Sequence, residues 1–293
     1  MVERLYYLSP NGWTTEFSVL SDFYVNVSRD VDGLNDVDNK INATTTIGQD
    51  GETFVSSTIE PRDIHITGHL RATALDRQIQ LRQRLNHVLS PKQSGELVYV
   101  CGELRRHIIC YPETAPNYTP GKMPTFTILL RCPSPFWQGE TTEIVRIAEW
   151  EGMMEFDEEN GLQLGDDWEI GSRTGELIVN VENKGDVDCV MTIVFDAEGT
   201  VTNPKLINVE TLEYVKVNYV MMSGDRIEVT TAYGQKTAVL IRNGQKTSIF
   251  RKLDQNTTFM QLRVGESLFQ CDADENAINL TASIQFSGQY LGV

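Results

Sequence analysis

Short segments in which apolar and polar residues alternate run through almost the whole chain. "RLYYL", "FYVNVS", "DIHITGHL", "ELVYV", "RHIICY", "TFTILLRC", "LIVNVEN", "CVMTIVF", "EYVKVNYV", "DRIEVTT", "TAVLIRN" and "NLTASIQF" are rich in β-branched and aromatic residues and are bounded by Gly, Asn, Asp or Pro. A period of two places successive side chains on opposite faces of a strand, so one face can be buried while the other meets water. Asn11-Gly12, Asp50-Gly51 and Asn243-Gly244 tolerate the positive φ of tight hairpin turns. The repeated tetrapeptide in "GQKTAVLIRNGQKTS" reads as the two ends of one such hairpin. The fold class is therefore mainly β.

A chain of 293 residues exceeds what one apolar core usually serves. The break between domains is marked by "RCPSPFWQG", where an alternating run meets two prolines and two large aromatics. Pro133 and Pro135 cannot donate to a β-ladder and stop the strand. Beyond them, Glu143 to Glu169 holds ten carboxylates and a single arginine, as in a solvated linker. The expected organisation is an N-terminal domain over 1–139, an acidic linker or insert over 140–172 and a C-terminal domain over 173–293.

One segment departs from the period of two. In "TALDRQIQLRQRLNHVLSP", Ala74, Leu81, Leu85 and Val88 share a narrow arc at 100° per residue, which Leu75, Ile79 and Leu89 widen. This predicts an amphipathic helix, with Thr73 and Asp76 as a capping box and Ser90-Pro91 as the stop. The hairpin "GELVYVCGELRRHIICYPE" follows at once, turning at Gly102-Glu103. Arg77 and Arg84 share one helix edge, either as a solvated face or as partners for carboxylates of a neighbouring subunit.

The residues give no positive sign of catalysis. His65 and His69 lie on a strand, where four steps separate them by roughly 13 Å, too far to share a metal. "DVDGLNDVDN" and "DADEN" lack the glycine and the glutamate of a calcium loop at the required positions. "GQKT" lacks the Gly-Lys adjacency of a phosphate loop, and Glu158-Glu159 reads as solvated acid rather than a glycosidase pair. Cys101, Cys110, Cys132, Cys189 and Cys271 are odd in number, form no CxxC pair and read as reduced thiols. No cofactor or metal is expected. A net charge of -16 gives no electrostatic reason to grip nucleic-acid phosphates. The N-terminal sequence has neither the apolar stretch nor the cleavage site of a signal peptide, and no window approaches the roughly 18 apolar residues of a membrane span. Cytoplasmic synthesis without membrane insertion is the expectation.

The order of motifs resembles the distal tail proteins of long-tailed bacteriophages, a phage tail component family. The elements that carry it are Asn11-Gly12, "DVDGL", Asp50-Gly51, "EPRDIHITG", the helix, the hairpin and "TILLRCPSPFWQG". In the second half they are "VNVENKGD", "NPKLIN", "MMSGDRIEV" and "LDQNTTFMQLRVGES". The resemblance implies an N-terminal belt domain with one helix and a hairpin arm, followed by a galectin-like β-sandwich. It further implies a non-enzymatic virion protein at the tail tip, assembled in the host bacterial cytoplasm. Its copies would close into a hexameric ring, or two stacked rings, around a channel that DNA traverses. Implied partners are the major tail tube protein, the tail-associated hub or lysin protein, and receptor-binding or baseplate proteins. On this reading the subunit interface uses Leu97, Tyr99, Arg105, Arg106, Ile108 and Tyr111 of the hairpin, with Phe136 and Trp137 at the domain edge. The alternative is a carbohydrate-binding module serving host attachment, with Trp150 and Trp168 as glycan contacts.

Overall fold

Fourteen elements build the first half of the chain in a computed structural model that describes residues 2–147, 150–152, 171–173 and 178–293. They are β1 (Arg4–Leu8), β2 (Thr14–Ser18), β3 (Phe23–Tyr24), α1 (Val27–Asp30), β4 (Val31–Asp32), β5 (Asn39–Thr44), β6 (Thr53–Ile59) and β7 (Arg62–Leu70), then α2 (Leu75–Val88), β8 (Gly95–Cys101), β9 (Leu104–Pro112), β10 (Asn117–Thr119), β11 (Thr125–Cys132) and β12 (Trp137–Gly139). Hydrogen bonding runs from β11 through β7, β3, β2, β1 and β8 to β9, and β9 pairs back onto β11 at Arg131 and Tyr111. The path returns to its start, so the sheet is a closed barrel whose central strands have no free edge.

Alternation explains how the barrel fills. Along β7, Ile64, Ile66 and Leu70 point inward while Asp63, His65 and Thr67 point outward. Gly68 takes an inward position because a Cβ there would meet the Phe126 ring at 2.5 Å and the Tyr24 carbonyl at 2.7 Å. Phe17, Phe23 and Phe126 pack with ring centroids about 6 Å apart, in tilted and edge-on arrangements favoured by aromatic quadrupoles.

Helix α2 covers this core with Leu81, Leu85 and Val88. Its start differs from the sequence expectation. The N-cap is Ala74, no side chain caps it, and the buried Gln78 instead donates to the Ala72 carbonyl at 3.0 Å. Leu75 and Ile79, expected within the apolar arc, are 67% and 43% exposed. They sit on the flank of a stripe that the barrel only partly covers.

The second half contains β13 (Glu143–Ile147), β14 (Trp150–Gly152), β15 (Gly171–Arg173), β16 (Ile178–Asn183), β17 (Met191–Ala197), β18 (Val201–Asn208), β19 (Tyr214–Lys216), β20 (Val220–Met221), β21 (Arg226–Thr230), β22 (Thr237–Arg242), β23 (Gln245–Ser248), β24 (Gly265–Glu275) and β25 (Leu280–Phe286). One sheet runs β13-β25-β17-β21-β22-β23 and the other β16-β24-β18-β19, with β20 beside β18. Ile193, Phe195, Ile227 and Ile284 of the first sheet share one apolar core with Val181, Leu206, Val215 and Phe269 of the second. This is a two-sheet β-sandwich. The repeated tetrapeptide falls in a single hairpin but not at its two ends: the first copy leads into β22, and the second spans the turn and β23, where Arg242 pairs with Gln245 across Asn243 and Gly244, both at positive φ.

Contacts divide the chain into unit 1, residues 1–140 with 289–293, and unit 2, residues 141–288. The sequence reading assigned everything up to Val293 to the C-terminal domain. The last strand, β26 (Gln289–Tyr290), instead pairs with β12 and completes unit 1. Five residues, 289–293, are too few to show an alternation that would announce such a return.

The Asp225–Arg242 ion pair of unit 2 has a consequence for pH. Asp225 is 2% exposed, accepts from Arg242 Nε at 2.7 Å and from the Met222 amide at 2.8 Å, and its second oxygen faces Arg242 Nη2. The Arg242 guanidinium, opposed by burial and aided by the amide, holds the carboxyl below its ordinary value. A lowered folded pKa means a contribution complete above the unfolded value of about 3.9 and lost as pH falls through the folded value. Unit 2 is therefore expected to lose stability in acid with a slope that Asp225→Asn flattens. Urea midpoints between about pH 6 and pH 3 measure it, and equal slopes would refute the role of the pair.

Candidate assembly interface

The β8–β9 hairpin turns at Gly102, φ 64°, and Glu103, with Cys101 opposite Leu104 and Gly95 opposite Cys110. Cross-strand partners share a face, so Leu97 with Ile108 and Tyr99 with Arg106 point one way, while Glu96 with Ile109 and Val100 with Arg105 point the other. The first face is the barrel interior. Leu97, Tyr99 and Ile108 are buried in the core of their own unit, and the Tyr99 hydroxyl donates to Glu3 Oε1 at 3.1 Å. These three, placed at a subunit contact by the sequence reading, serve the fold. A period of two shows that a strand has two faces without saying which one is inside.

Arg105 and Tyr111 do face outward, next to the exposed Ile109. Arg105 reaches Glu140 at 3.0 Å, and Arg131, which pairs with Tyr111 in the sheet, lies 3.3 Å from Asp63. Arg106 is occupied within the chain. Its guanidinium lies 3.7 Å from the centre of the Tyr290 ring and donates to the Gly292 carbonyl.

Trp137 is fully buried and donates Nε1–H to the Leu34 carbonyl at 3.0 Å, whereas Phe136 is half-buried. The hard stop after β11 thus turns the chain so that β12 can lie between β9 and β26. Trp137 closes the core of unit 1. Trp168 lies outside the described residues. Trp150 begins β14, and its side chain is outside them too.

A knot at Arg62 holds these pieces together. Arg62 is 2% exposed and, among the described residues, forms no ion pair, although the Asp36 carboxylate favours its charge from nearby. Its Nε donates to Pro135 O at 2.7 Å, and Nη1 to Gly33 O at 2.7 Å, Leu34 O at 2.9 Å and Asp36 O at 3.1 Å. Nη2 donates to Leu291 O. Burial lowers its pKa, and the five carbonyl dipoles replace lost water around the charge. Asn35 Oδ1 accepts from the Val293 amide at 2.9 Å. The "DVDGL" loop, the proline stop and the final residues are thereby fastened to one side chain. In the sequence Arg62 stands out only as part of "EPRDIHITG", a motif that carries the resemblance and says nothing of this role.

The five cysteines are free thiols, of which Cys101 alone is partly exposed. Burial pushes the Cys189 thiol up to about 12, and Cys110, hydrogen-bonded to Cys132, is raised as well. Among the described residues no group of three or more His, Cys, Asp or Glu is arranged to hold a metal, and no helix is long and apolar enough to cross a membrane.

Two family models match in tandem. The phage tail protein RIFT-related domain covers residues 15–132, and the siphovirus-type tail component, C-terminal domain, covers residues 184–290. The first falls within unit 1 and the second lies almost wholly in unit 2. The chain belongs to the siphovirus distal tail component family. By sequence, no curated protein matches it. The Dit protein (gp 19.1) of SPP1, described as a paradigm of the hub adsorption apparatus in phages infecting Gram-positive bacteria, is similar at a TM-score of 0.69 and 13% identity, over 97% of this chain and 98% of that one. A chain of the phage p2 baseplate in its activated conformation with Ca gives 0.55 and 11% over the full length of both. The same baseplate with Sr gives 0.54 and 11% over 98% of each. At such identities the likeness is one of fold, and family membership makes the chain a structural component of a phage tail.

Proposed function

We propose that the chain is the hub component of a phage tail tip, in which unit 1 of six copies closes into a ring between the tail tube and the tail-associated hub protein. The observation that carries this reading is the tandem order of the two tail-component domains, together with similarity over nearly the whole chain to a hub protein. A head-to-tail contact that closes by rotation gives a ring, and such a role needs no catalytic group. The outward face of the β8–β9 hairpin, with Arg105, Ile109 and Tyr111, is offered to a neighbouring tail protein. The chain's net charge of -16 lies mostly outside unit 1, which holds 13 Lys+Arg against 16 Asp+Glu, so the ring itself is only weakly repulsive to DNA phosphates in transit.

The test is the native mass by light scattering across protein and salt concentration, with electron microscopy of the heaviest species. Six copies, or two such rings, is the expected result. A mass that stays at one copy with and without the tube and hub proteins would overturn the ring.

A further inference from the structure

The pairing that closes the barrel is short. Between β11 and β9 only Leu130 with Pro112 and Arg131 with Tyr111 are matched, whereas β11 matches β7 along its whole length. One further step of the same register sets Cys132 opposite Cys110. The Glu113 amide donates to the Leu129 carbonyl at 3.0 Å, which makes those two a hydrogen-bonded pair. Hydrogen-bonded and non-hydrogen-bonded pairs alternate along an antiparallel ladder, so Pro112 with Leu130 and Cys110 with Cys132 are of the second kind. Pro112, which has no N–H to donate, agrees with that assignment. In such pairs the Cα atoms lie about 4.5 Å apart and the side chains are closest. Disulfides span Cα separations of about 4.4 to 6.8 Å.

Side-chain direction fits as well. Cys110, Pro112, Leu130 and Cys132 point into the barrel, while Tyr111 and Arg131 point out. Both thiols are fully buried and hydrogen-bonded to each other. Cys101, the other thiol of unit 1, stands opposite Leu104 at the hairpin turn, whereas Cys110 stands opposite Gly95. Six strand steps separate the two places by about 20 Å, beyond bridging reach. Cys132 is also matched with Arg62 across β7 and β11, so a positive charge lies on its side of the pair. A cation beside a sulfur favours the anion, which is the form that reacts.

We propose that Cys110 and Cys132 form a redox modification site, a dithiol that a small peroxide converts into an intrachain disulfide across the closing seam of unit 1. The Cys132 thiolate attacks one peroxide oxygen, the O–O bond breaks, and hydroxide leaves as the sulfur becomes a sulfenic acid. The Cys110 sulfur then attacks that sulfur, forming the S–S bond and expelling the second oxygen as water. Two electrons pass from sulfur to oxygen and both thiol protons end on oxygen, so two thiols and one hydrogen peroxide give one disulfide and two waters. Because the thiols are sealed in the core, the reaction runs through transient opening of the short seam and is slow on the folded chain. Once formed, the bond closes a loop of about 22 residues and constrains the opened states. A tail protein leaving a reducing cell interior would thereby gain a covalently closed barrel; that consequence rests on the tail-tip reading, and the chemistry does not.

The test treats the folded full-length chain with hydrogen peroxide, alkylates the remaining thiols and maps the peptides by mass spectrometry without reduction. The expected product joins the peptide of Cys110 to that of Cys132, two hydrogen masses below their sum. Hydrogen exchange on the same sample should show β9 and β11 protected roughly a hundredfold more than in the reduced chain, and dithiothreitol should reverse the gain. Cys110→Ala and Cys132→Ala should each abolish the link, while Cys101→Ser should keep it. The wild-type chain is compared with itself, so a variant that fails to fold leaves this readout intact. Sulfinic acid or intermolecular links in place of this pair would overturn the proposal. A link that forms only in urea, or a linked chain that exchanges no more slowly, would overturn it too. The linked pair in a protein that stays at one copy by light scattering would sink the ring and keep the dithiol site, whereas a six-copy ring without the link would do the reverse.

Discussion

Arg62→Met is expected to destabilise unit 1 by about 4 kcal/mol while leaving unit 2 unchanged. The guanidinium supplies hydrogen bonds to five carbonyls, those of Gly33, Leu34, Asp36, Pro135 and Leu291, in a site that is 2% exposed. Hydrogen bonds from a charged donor contribute about 1.5 to 3 kcal/mol each when measured singly, and carbonyls stranded without water add a further cost. The sum is not realised in full, because the loop and the final residues can move outward to reach solvent. Arg62→Lys should recover less than half of the loss, since one compact ammonium cannot span acceptors arranged around a planar fork. Urea unfolding followed by hydrogen exchange, which reads the units separately, measures both variants. An Arg62→Met protein whose unit 1 opens at the wild-type concentration would show that the knot contributes little.

Much of the architecture was legible because it depends on local pattern. The alternation in "DIHITGHL" and "TFTILLRC" specifies two strands with one buried face each, Asn243-Gly244 specifies a two-residue turn, and the spacing of Leu81, Leu85 and Val88 specifies the buried side of α2. The interface was less legible, and the hairpin shows why. Leu97 and Ile109 look equally suited to a contact in the sequence, yet closure of β9 onto β11 turns one inward and leaves the other in solvent. Which face is inside is decided by pairings far apart in the chain. The same holds for Arg106, whose partners Tyr290 and Gly292 come from the opposite end of the sequence. Strands β5 and β6 are hard to read for a different reason: "INATTTIGQDGETFVSSTI" is rich in Thr and Ser, and its apolar face emerges only once a bulge brings Phe54 and Val55 beside Ile41 and Ala43.

Gly33→Ala should be the second most damaging single change, at about 3 kcal/mol, although it adds only a methyl group. Gly33 has φ 86°, a conformation that costs an L-residue roughly 1 to 2 kcal/mol. A Cβ built there would also lie 2.1 Å from the Asp63 carbonyl oxygen, which belongs to the backbone of β7 and cannot swing aside. The loop must therefore lift away from the strand. Its lifting withdraws the Gly33, Leu34 and Asp36 carbonyls from Arg62 and the Leu34 carbonyl from Trp137. Part of the damage is thus the same damage that Arg62→Met inflicts, and the two changes should not add. The double variant is expected to fall short of the summed losses by 1 kcal/mol or more, roughly the coupling found for groups that share a network. Simple additivity would mean that the loop keeps its place without the arginine, and that Gly33 acts through backbone strain alone.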